Sequence, residues 1–311
     1  MPRAGVIVLG GSGFVGSRAL DLWRQRFALN APSHADLDVL DPAALTAFLE
    51  ANPGQTVVNL AAWADVDGAE AEQGRTDGRV YAVNVDYPRR LAETCARLGK
   101  HLVHVSTDYV FSGDSLERPY SEDDPTGPVC WYAETKLLGE QAVLAADAAA
   151  CIARIEIPFS GNPSFKRDLA RTVVARLQAG QTVQGVTDQH ITPVFLDDAV
   201  EALGLLVDTR YAGIMHVAST DWTTPFRFAR SIATRLGLDE HLVRPETFER
   251  FAATRAARRP RYSWLDVSRF QRRFGSGILR TVEDELDAWA EQMRVAGLAE
   301  RAAAHPPGAS G

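Results

Sequence analysis

A glycine-rich turn near the N-terminus limits the fold of this chain more than any other feature. In the segment VIVLGGSGFVGSRAL, Gly10, Gly13 and Gly16 lie between a short apolar run and an amphipathic stretch. Glycines at such a spacing let a strand turn sharply into a helix and bring backbone amides close to a pyrophosphate. The helix N-terminus adds about half a positive charge, which favours phosphate groups. The turn therefore predicts a dinucleotide site of the Rossmann type, against the plainer alternative of a tight turn without a ligand.

Short apolar runs and helical patterns alternate along the first two-thirds of the chain. Four β-rich runs bounded by turn residues are typical of buried strands, namely AGVIVLG, TVVNLAA, HLVHVST and CIARIEI. Helical periodicity marks the segments FVGSRALDLWRQ, DPAALTAFLEA, VYAVNVDYPRRLAETCARLG and WYAETKLLGEQAVLAA. This alternation predicts an α/β fold with a doubly wound parallel Rossmann sheet.

The pattern changes after residue 155. Helices are expected in SFKRDLARTVVARLQAG and ITPVFLDDAVEALGLLV, and a strand that returns to the sheet is expected in GIMHVAST. We therefore expect a Rossmann domain of residues 1–155 plus about 189–218, and a smaller, mainly helical C-terminal domain of about 156–188 and 219–296. The Ala-, Pro-, Gly- and Ser-rich segment 297–311 is expected to be a flexible tail.

Charge and cysteine content exclude several classes of protein. The 311 residues carry 33 Lys and Arg against 40 Asp and Glu, a net charge of −7. Nucleic acid is not an expected partner, because binding to phosphates needs concentrated positive charge. The three cysteines are too few and scattered for a disulfide framework, and the histidines show no metal-binding spacing. No apolar stretch approaches the ~20 residues of a membrane span. We expect a cytoplasmic protein with no metal and no membrane contact.

Tyr132 and Lys136 form the pattern that indicates chemistry. Residues four apart on a helix share a face, so the phenol and the ammonium can meet. The ammonium, helped by a positively charged nicotinamide, is expected to lower the pKa of the phenol from its ordinary ~10. A tyrosine four residues before a lysine, taken by itself, lies more often on a protein surface than in an active site. It gains weight from Ser106 and Thr107 at the carboxyl end of a predicted strand, where ligands of open α/β sheets bind. Reduction of a ketone needs an acid, a cation and a hydroxyl that orients the carbonyl. We choose Thr107 for this hydroxyl.

The choice between NADH and NADPH stays open at this point. The segment FALNAPSHADLDVLD, after the second expected strand, contains no arginine to take a 2′-phosphate. Asp36 or Asp38 can approach the adenosine, which favours NADH. Arg18, just inside the first predicted helix, can instead meet the 2′-phosphate of NADPH. The cofactor is therefore expected to be NADPH or NADH.

Several segments resemble the extended short-chain dehydrogenase/reductases, and among them the dTDP-4-dehydrorhamnose reductase family. They are GGSGFVG, VVNLAAWADVDGAE, LVHVSTDYVFSG, PYSEDDPTGPVCWYAETKLLGEQAV, VTDQHITPVFLDDA and RPRYSWLD. The resemblance implies a Rossmann domain followed by a small domain that binds a nucleotide sugar. It implies reduction of a 4-keto sugar by NADPH or NADH, with Thr107, Tyr132 and Lys136 as the catalytic residues.

The same resemblance implies which residues bind each ligand. The cofactor-binding residues are expected to be Gly10, Gly13, Phe14, Val15, Gly16, Asp38, Leu60, Ala61, Ala62, Asn84, Tyr132 and Lys136. The substrate-binding residues are expected to be Ser106, Thr107, Asp108, Phe159, Arg259 and Arg261. The arginines belong to the cluster RAARRPRY, for which a diphosphate clamp and a solvated helix end are equal alternatives. Related dehydratases carry Asp-Glu after the threonine, whereas here Tyr109 follows Asp108, which favours a reductase.

The chain departs from the family pattern at positions expected to face the substrate. Glu156 to Gly161 read EIPFSG where the family has Thr-Ser-Trp-Val-Tyr-Gly, so Phe159 or Trp131 is expected to replace the aromatic wall. His190 stands where the family tends to have glycine, and Ala133 follows the tyrosine where glycine is common. The sugar therefore stays open. Alternatives are a non-catalytic dinucleotide-binding subunit like that of methionine adenosyltransferase, and a reductase or epimerase of another sugar nucleotide. A homodimer is a further expectation.

Overall fold

A parallel sheet of six strands forms the centre of the molecule. The computed structural model describes residues 3–162 and 168–297. Its strands are β1 Gly5–Leu9, β2 Ala28–Asn30, β3 Thr56–Asn59, β4 His101–Thr107, β5 Cys151–Ile155, β6 Pro158–Phe159, β7 Val183–Val186, β8 Val194–Phe195, β9 Gly213–Val217 and β10 Val243–Glu246. The sheet has the order β2-β1-β3-β4-β5-β9. The predicted return of a late strand is confirmed, because β9 pairs in parallel with β5.

Helices cover both faces of this sheet. They are α1 Phe14–Trp23, α2 Pro42–Ala51, α3 Val66–Ala69, α4 Arg79–Tyr81, α5 Tyr87–Leu98, α6 Trp131–Ala146, α7 Leu169–Gln178, α8 Leu196–Asp208, α9 Pro225–Arg235, α10 Phe248–Ala253, α11 Ser268–Phe274 and α12 Val282–Val295. A π-helical segment, Ala82–Asp86, joins α4 to α5, and short 3-10 turns lie at Glu70–Glu72, Asp108–Val110 and Glu240–Leu242. No helix within residues 3–162 and 168–297 is long and apolar enough to cross a membrane.

The two faces of the sheet are buried in separate apolar cores. Successive side chains of a strand point to opposite faces. Accordingly Val6 and Val8 of β1 pack in the core shared with α1 and α8, whereas Ile7 and Leu9 pack in the core shared with α2 and α5. Strands covered on both sides are nearly continuous apolar runs, which is why the sequence revealed them. The predicted doubly wound α/β fold is confirmed.

Local signals place the ends of the helices. Asp41 accepts hydrogen bonds from the amides of Ala43 and Ala44, and Pro42 follows it as the first residue of α2. Gly99 ends α5 with φ of +67°, a conformation that glycine adopts without strain. The helix predicted across VYAVNVDYPRRLAETCARLG is present but interrupted, because the π-helical segment inserts an extra residue.

Away from the main sheet, a further apolar core lies between α7, α9 and α12, and we name it the second core. Phe159, Phe228 and Trp289 are buried at its centre. The pairs β6–β8 and β7–β10 border this core, outside the main sheet. The segment predicted as one helix, ITPVFLDDAVEALGLLV, divides into β8 and α8. The domain boundaries given above stay a prediction, and the expected tail lies outside the described residues except for Gly297.

Candidate active site

Thr107 and Tyr132 meet at the carboxyl edge of the sheet. Thr107 is the last residue of β4, and Tyr132 lies in the first turn of α6. The Thr107 hydroxyl lies close enough to the phenol of Tyr132 to lower its pKa. The hydroxyl donates to Asp108 Oδ1 at 3.0 Å and accepts from the Tyr109 amide at 3.3 Å. Two of the three predicted catalytic groups are thus neighbours.

Lys136 lies one turn farther along α6 and is fixed by the sheet. Its Nζ donates to the carbonyl of Val105 at 2.8 Å, and the residue is 2% exposed. Burial lowers the pKa of the Lys136 ammonium to about 8, opposed by the charge of Glu140. The buried Lys136 ammonium therefore lies beside β4, on the same face of α6 as the Tyr132 phenol.

The predicted lowering of the Tyr132 pKa is not found in the protein by itself. Burial raises the pKa of the phenol, and the nearby Thr107 hydroxyl opposes this rise only in part. Desolvation disfavours the phenolate more than the local partners favour it. Tyr132 is therefore a proton donor at neutral pH.

The middle of α6 packs closely against the π-helical segment. A Cβ atom on Gly139 would lie 2.1 Å from the carbonyl oxygen of Asn84, so only glycine fits there. The Asn84 side chain accepts from the Trp63 amide at 2.9 Å and donates to Thr135 Oγ1 at 3.1 Å. Asn84 is a predicted cofactor-binding residue, and its side chain also ties the loop after β3 to the helix that carries Tyr132.

The glycine turn has the backbone geometry that a pyrophosphate needs. Gly10 has φ of +82°, and a Cβ there would lie 2.6 Å from the Ala61 amide nitrogen. A Cβ on Gly16 would lie 2.2 Å from the Gly10 carbonyl oxygen. Larger residues would block both the turn and its contact with the loop after β3. Since the turn leads directly into α1, its amides and the helix N-terminus fit a dinucleotide phosphate.

A small cavity lies next to the turn. It is lined by Leu9, Gly10, Ser12, Pro32, Ser33, His34, Leu37, Val39 and Ala61. Asp38 is exposed beside this lining and accepts from the Leu40 amide at 2.9 Å. Arg18 does not face the cavity as a free cation, because its guanidinium donates two hydrogen bonds to Asp197 of α8. The structure thus gives no support to Arg18 as a 2′-phosphate ligand.

The remaining predicted substrate residues fall into two groups. Ser106 and Asp108 are buried next to Thr107. Phe159 is fully buried and packs edge-on against Phe228 at 5.2 Å, so it belongs to the second core rather than to a pocket wall. Trp131 is the better placed aromatic residue, because it packs in one cluster with Tyr132.

The arginine cluster forms ion pairs within the protein. Arg259 donates to Asp67 of α3 at 2.8 Å, and the Ala257 amide donates to the same carboxylate at 3.0 Å. Arg261 pairs with Asp188. Neither alternative from the sequence describes this arrangement, since these arginines fasten the segment before Tyr262 across the start of α6. Ala257 packs there against Tyr132.

Sequence reasoning missed two further groups near Thr107, namely Ser263 and Glu156. Ser263 Oγ donates to Asp108 Oδ2 at 2.6 Å, and nothing local in the sequence indicates this contact. Glu156 is 0% exposed and accepts from the Thr192 amide at 3.0 Å. Its only signal was the departure from the family pattern. His190, another departure, stacks on Trp222 with ring centroids 3.9 Å apart.

The fold and the site define a class of protein. A doubly wound sheet, a glycine turn fit for a pyrophosphate, and threonine, tyrosine and lysine at its carboxyl edge are the features of an extended short-chain dehydrogenase/reductase. No group of His, Cys, Asp and Glu suited to hold a metal occurs in the described parts of the chain.

Comparison with known proteins defines the family. Residues 4–295 match the family described as the RmlD substrate binding domain. The chain belongs to the dTDP-4-dehydrorhamnose reductase family. It is 38% identical over 266 residues to dTDP-4-dehydrorhamnose reductase of Mycobacterium tuberculosis, covering 84% of each chain. It is 40% identical over 279 residues to the enzyme of that name from Streptomyces griseus, covering 87% of this chain and 88% of the relative.

A solved structure shows the same architecture. The dTDP-4-dehydrorhamnose reductase of Bacillus anthracis, in complex with NADP, superposes with a TM-score of 0.84 at 25% identity. The match covers 92% of this chain and 98% of that one. The family relation therefore extends over both the sheet and the second core.

Proposed function

We propose that this protein reduces the 4-keto group of a nucleotide-activated deoxysugar with NADPH or NADH, as dTDP-4-dehydrorhamnose reductase does. The observation that carries the proposal is the placement of Thr107 next to Tyr132, with Lys136 buried one turn farther along the same helix, in a fold whose first turn fits a dinucleotide. Family membership supports the substrate class, because the relatives from Mycobacterium tuberculosis and Streptomyces griseus carry that enzyme's name.

Each of the three residues has a distinct part in the reduction. The bound cofactor would supply a hydride to the carbonyl carbon. Tyr132 holds the proton for the carbonyl oxygen, since burial raises the pKa of its phenol and keeps it protonated. The Lys136 ammonium offsets the negative charge left on the phenolate. The Thr107 hydroxyl orients the carbonyl next to the phenol.

The residues around the glycine turn are proposed to hold the cofactor. Gly10, Gly13 and Gly16 would face the pyrophosphate, flanked by Phe14 and Val15 at the start of α1. The loop Leu60, Ala61 and Ala62 would lie against the cofactor on the opposite side. The close approach of Gly10 to Ala61 supports this arrangement, because it brings both segments to one cleft.

Reduction is favoured over dehydration by the residue after Asp108. Tyr109 occupies the position of the glutamate that related dehydratases use, and its ring packs edge-on against Tyr132 at 6.0 Å. Burial raises the pKa of Tyr109. A buried, neutral phenol cannot act as the base that removal of a carbon-bound proton requires.

Oxidation of NADPH or NADH with a panel of 4-keto sugar nucleotides tests the proposal. Wild type should oxidise the cofactor with dTDP-4-dehydrorhamnose or a related dTDP- or UDP-linked 4-keto sugar. Tyr132→Phe, the matched control, should lower kcat by a factor on the order of 10²–10⁴ while dinucleotide still binds. Full activity of that variant would refute the role of Tyr132.

The same panel separates the alternatives. Tight dinucleotide binding without turnover of any sugar nucleotide would favour the alternative that the protein is a non-catalytic dinucleotide-binding subunit. Turnover of a sugar other than dTDP-4-dehydrorhamnose would agree with the changed segment Glu156 to Pro158. The placement of Thr107 next to Tyr132 and the buried Lys136 support an enzyme, since a binding protein has no need for them.

Location and assembly complete the proposal. A cytoplasmic enzyme agrees with the three cysteines, Cys95, Cys130 and Cys151, which are buried free thiols. A homodimer stays a prediction from the sequence, and sedimentation velocity at several protein concentrations measures it.

A further inference from the structure

Two buried carboxyl groups lie side by side behind Thr107. In the register of β4 with β5, Thr107 pairs with Ile155. Asp108 and Glu156 directly follow these two paired residues: Asp108 begins the 3-10 turn Asp108–Val110, and Glu156 lies just after the end of β5. Asp108 is 3% exposed and Glu156 is 0% exposed. The negative charge of Asp108 raises the pKa of the Glu156 carboxyl, so the two carboxyls lie close to each other in the interior.

Only part of this pair is satisfied by hydrogen bonds. Asp108 accepts from Thr107 and from Ser263. Glu156 Oε2 accepts from both the amide and the hydroxyl of Thr192. Glu156 Oε1 is buried with no hydrogen-bond partner. An ionised carboxylate in such a place is strongly disfavoured, whereas a neutral acid is tolerated.

The neighbours of the pair offer no compensating positive charge. The titratable groups that face Asp108 are the phenols of Tyr109 and Tyr132. Glu156 faces Asp108 and the neutral Thr192. Among residues 3–162 and 168–297, no lysine or arginine forms an ion pair with either carboxyl. Burial raises the pKa of Asp108 to about 6, and burial together with the charge of Asp108 raises the pKa of Glu156 further. Neighbouring carboxyls titrate as a unit, and their mutual repulsion favours a state in which the pair holds one proton.

We propose that Glu156 is a positioning residue, which together with Asp108 holds a proton behind Thr107 and so frees the Thr107 hydroxyl to donate to the substrate carbonyl. The inference rests on the proposed reductase function. A hydroxyl has one hydrogen. When Asp108 is ionised, that hydrogen is directed to Asp108 Oδ1, as the 3.0 Å contact shows. When the proton lies on Asp108, the bond reverses, and Thr107 accepts from Asp108 and donates forward. The proton of the pair is not consumed, since Tyr132 protonates the product.

Glu156→Gln tests the inference, because glutamine has nearly the same size and no proton to share. The expected result is a change in the pH dependence of kcat/KM. Wild type should hold its activity to a higher pH than the variant, because in the variant Asp108 has no neighbouring carboxyl with which to share a proton. Above the pH at which Asp108 of the variant ionises, the deficit should grow by up to about 10-fold per pH unit, and at pH 5 the two proteins should be nearly equal.

Glu285→Gln is a matched control for the loss of a buried carboxyl. Glu285 is also 0% exposed with an unpartnered Oε1, but it belongs to α12 beside the second core. Burial raises the pKa of Glu285 as well. This variant should keep the wild-type pH profile. If Glu156→Gln keeps it too, or loses activity equally at every pH, the inference is overturned.

Asp108→Asn serves if Glu156→Gln fails to fold. The asparagine amide can donate to Thr107 at every pH, so the loss of activity with rising pH that is expected of Glu156→Gln should be absent. A variant that retained this loss would contradict the inference.

A measurement without substrate separates the inference from the proposed function. In protein labelled with ¹³C at the Asp and Glu carboxyls, NMR should show one neutral carboxyl that Glu156→Gln removes at pH 7. Both carboxyls ionised at pH 7 would overturn the inference and leave the reductase function intact. Conversely, a wild type that reduces no 4-keto sugar nucleotide would end the proposed function, while the NMR titration would still decide whether the pair shares a proton.

Discussion

Lys136 shows how one buried residue sets the conditions for the chemistry. Within residues 3–162 and 168–297, the Val105 carbonyl is the one group that accepts a hydrogen bond from its ammonium, and its exposed fraction is 2%. A lysine is rarely buried in this way unless it has a function, because removing the charge from water is unfavourable. The pKa of about 8 means that the cation is present at neutral pH and lost in mild alkali.

The affinity for the dinucleotide should therefore fall as the pH rises through about 8. A charge-assisted hydrogen bond contributes about 1.5–3 kcal/mol, so loss of the proton should weaken binding about 10-fold or more. Lys136→Met should bind weakly at pH 7, with little further change up to pH 9. Fluorescence titration of NADPH across this range makes the measurement. An equally steep fall in Lys136→Met would assign the titration to another group.

At the residue scale, the sequence identified the catalytic residues better than it predicted the burial and the partners of their side chains. Thr107, Tyr132 and Lys136 could be chosen because their types and spacing fit a known reaction. The rise in the Tyr132 pKa could not be foreseen, since it depends on burial by residues far away in the chain. The same holds for Arg259 and Asp67, an ion pair between residues 192 positions apart.

At the scale of elements, the packing of α6 on the π-helical segment is the decisive contact. The segment has the same apolar periodicity as an α-helix, so the sequence predicted one continuous helix. The strands were easier to predict, because burial on both faces leaves a plain apolar run. What distinguishes the π-helical segment is the close approach of the Asn84 carbonyl to Gly139, which no single segment reveals.

Gly139→Ala should separate α6 from this segment. The added Cβ would lie 2.1 Å from a backbone oxygen, which cannot move as a flexible side chain does. We expect the free energy of unfolding to fall by about 1–3 kcal/mol, as for other overpacked sites. Because α6 carries Tyr132 and Lys136, turnover should fall as well.

Gly277→Ala is the matched control for that variant. An added Cβ at this position would meet no atom within 4 Å. Urea unfolding of the two variants should give a clear difference between them. Equal stabilities would show that α6 can shift to accept the methyl group.

At the scale of the whole molecule, His216 links parts that are distant in sequence. It lies on β9 at the edge of the main sheet, and its amide donates to Glu122 at 3.1 Å. Its Nδ1 lies 3.1 Å from the carbonyl oxygen of Asp266, and its ring meets Phe111 edge-on. The sheet, the loop after β4 and the segment before α11 thus meet at one fully buried imidazole.

Acid should destabilise the protein in part through this residue. Burial, with the nearby charge of Arg154, lowers the pKa of His216 to about 3. An unfolded histidine takes up its proton near pH 6.5, so between pH 6.5 and about 3 the unfolded state binds more protons than the folded state. Stability is therefore lost as the pH falls through this window. At about 1.4 kcal/mol per pH unit, the loss attributable to His216 by pH 4.5 is about 2–3 kcal/mol.

His216→Gln should remove that share of the pH dependence, because glutamine does not titrate. It should lower stability at pH 7, where the native contacts of the imidazole are lost, yet flatten the curve of unfolding free energy between pH 7 and 4.5. His241→Gln, a change at an exposed histidine, controls for the loss of an imidazole and should keep the wild-type slope. Since Glu156 and Glu285 have raised pKa values and act with the opposite sign, only the difference between variant and wild type isolates the histidine. Parallel curves for wild type and His216→Gln would mean that the folded protein accepts a protonated imidazole at this junction. The sheet and the C-terminal segment would then have to open there well above pH 3.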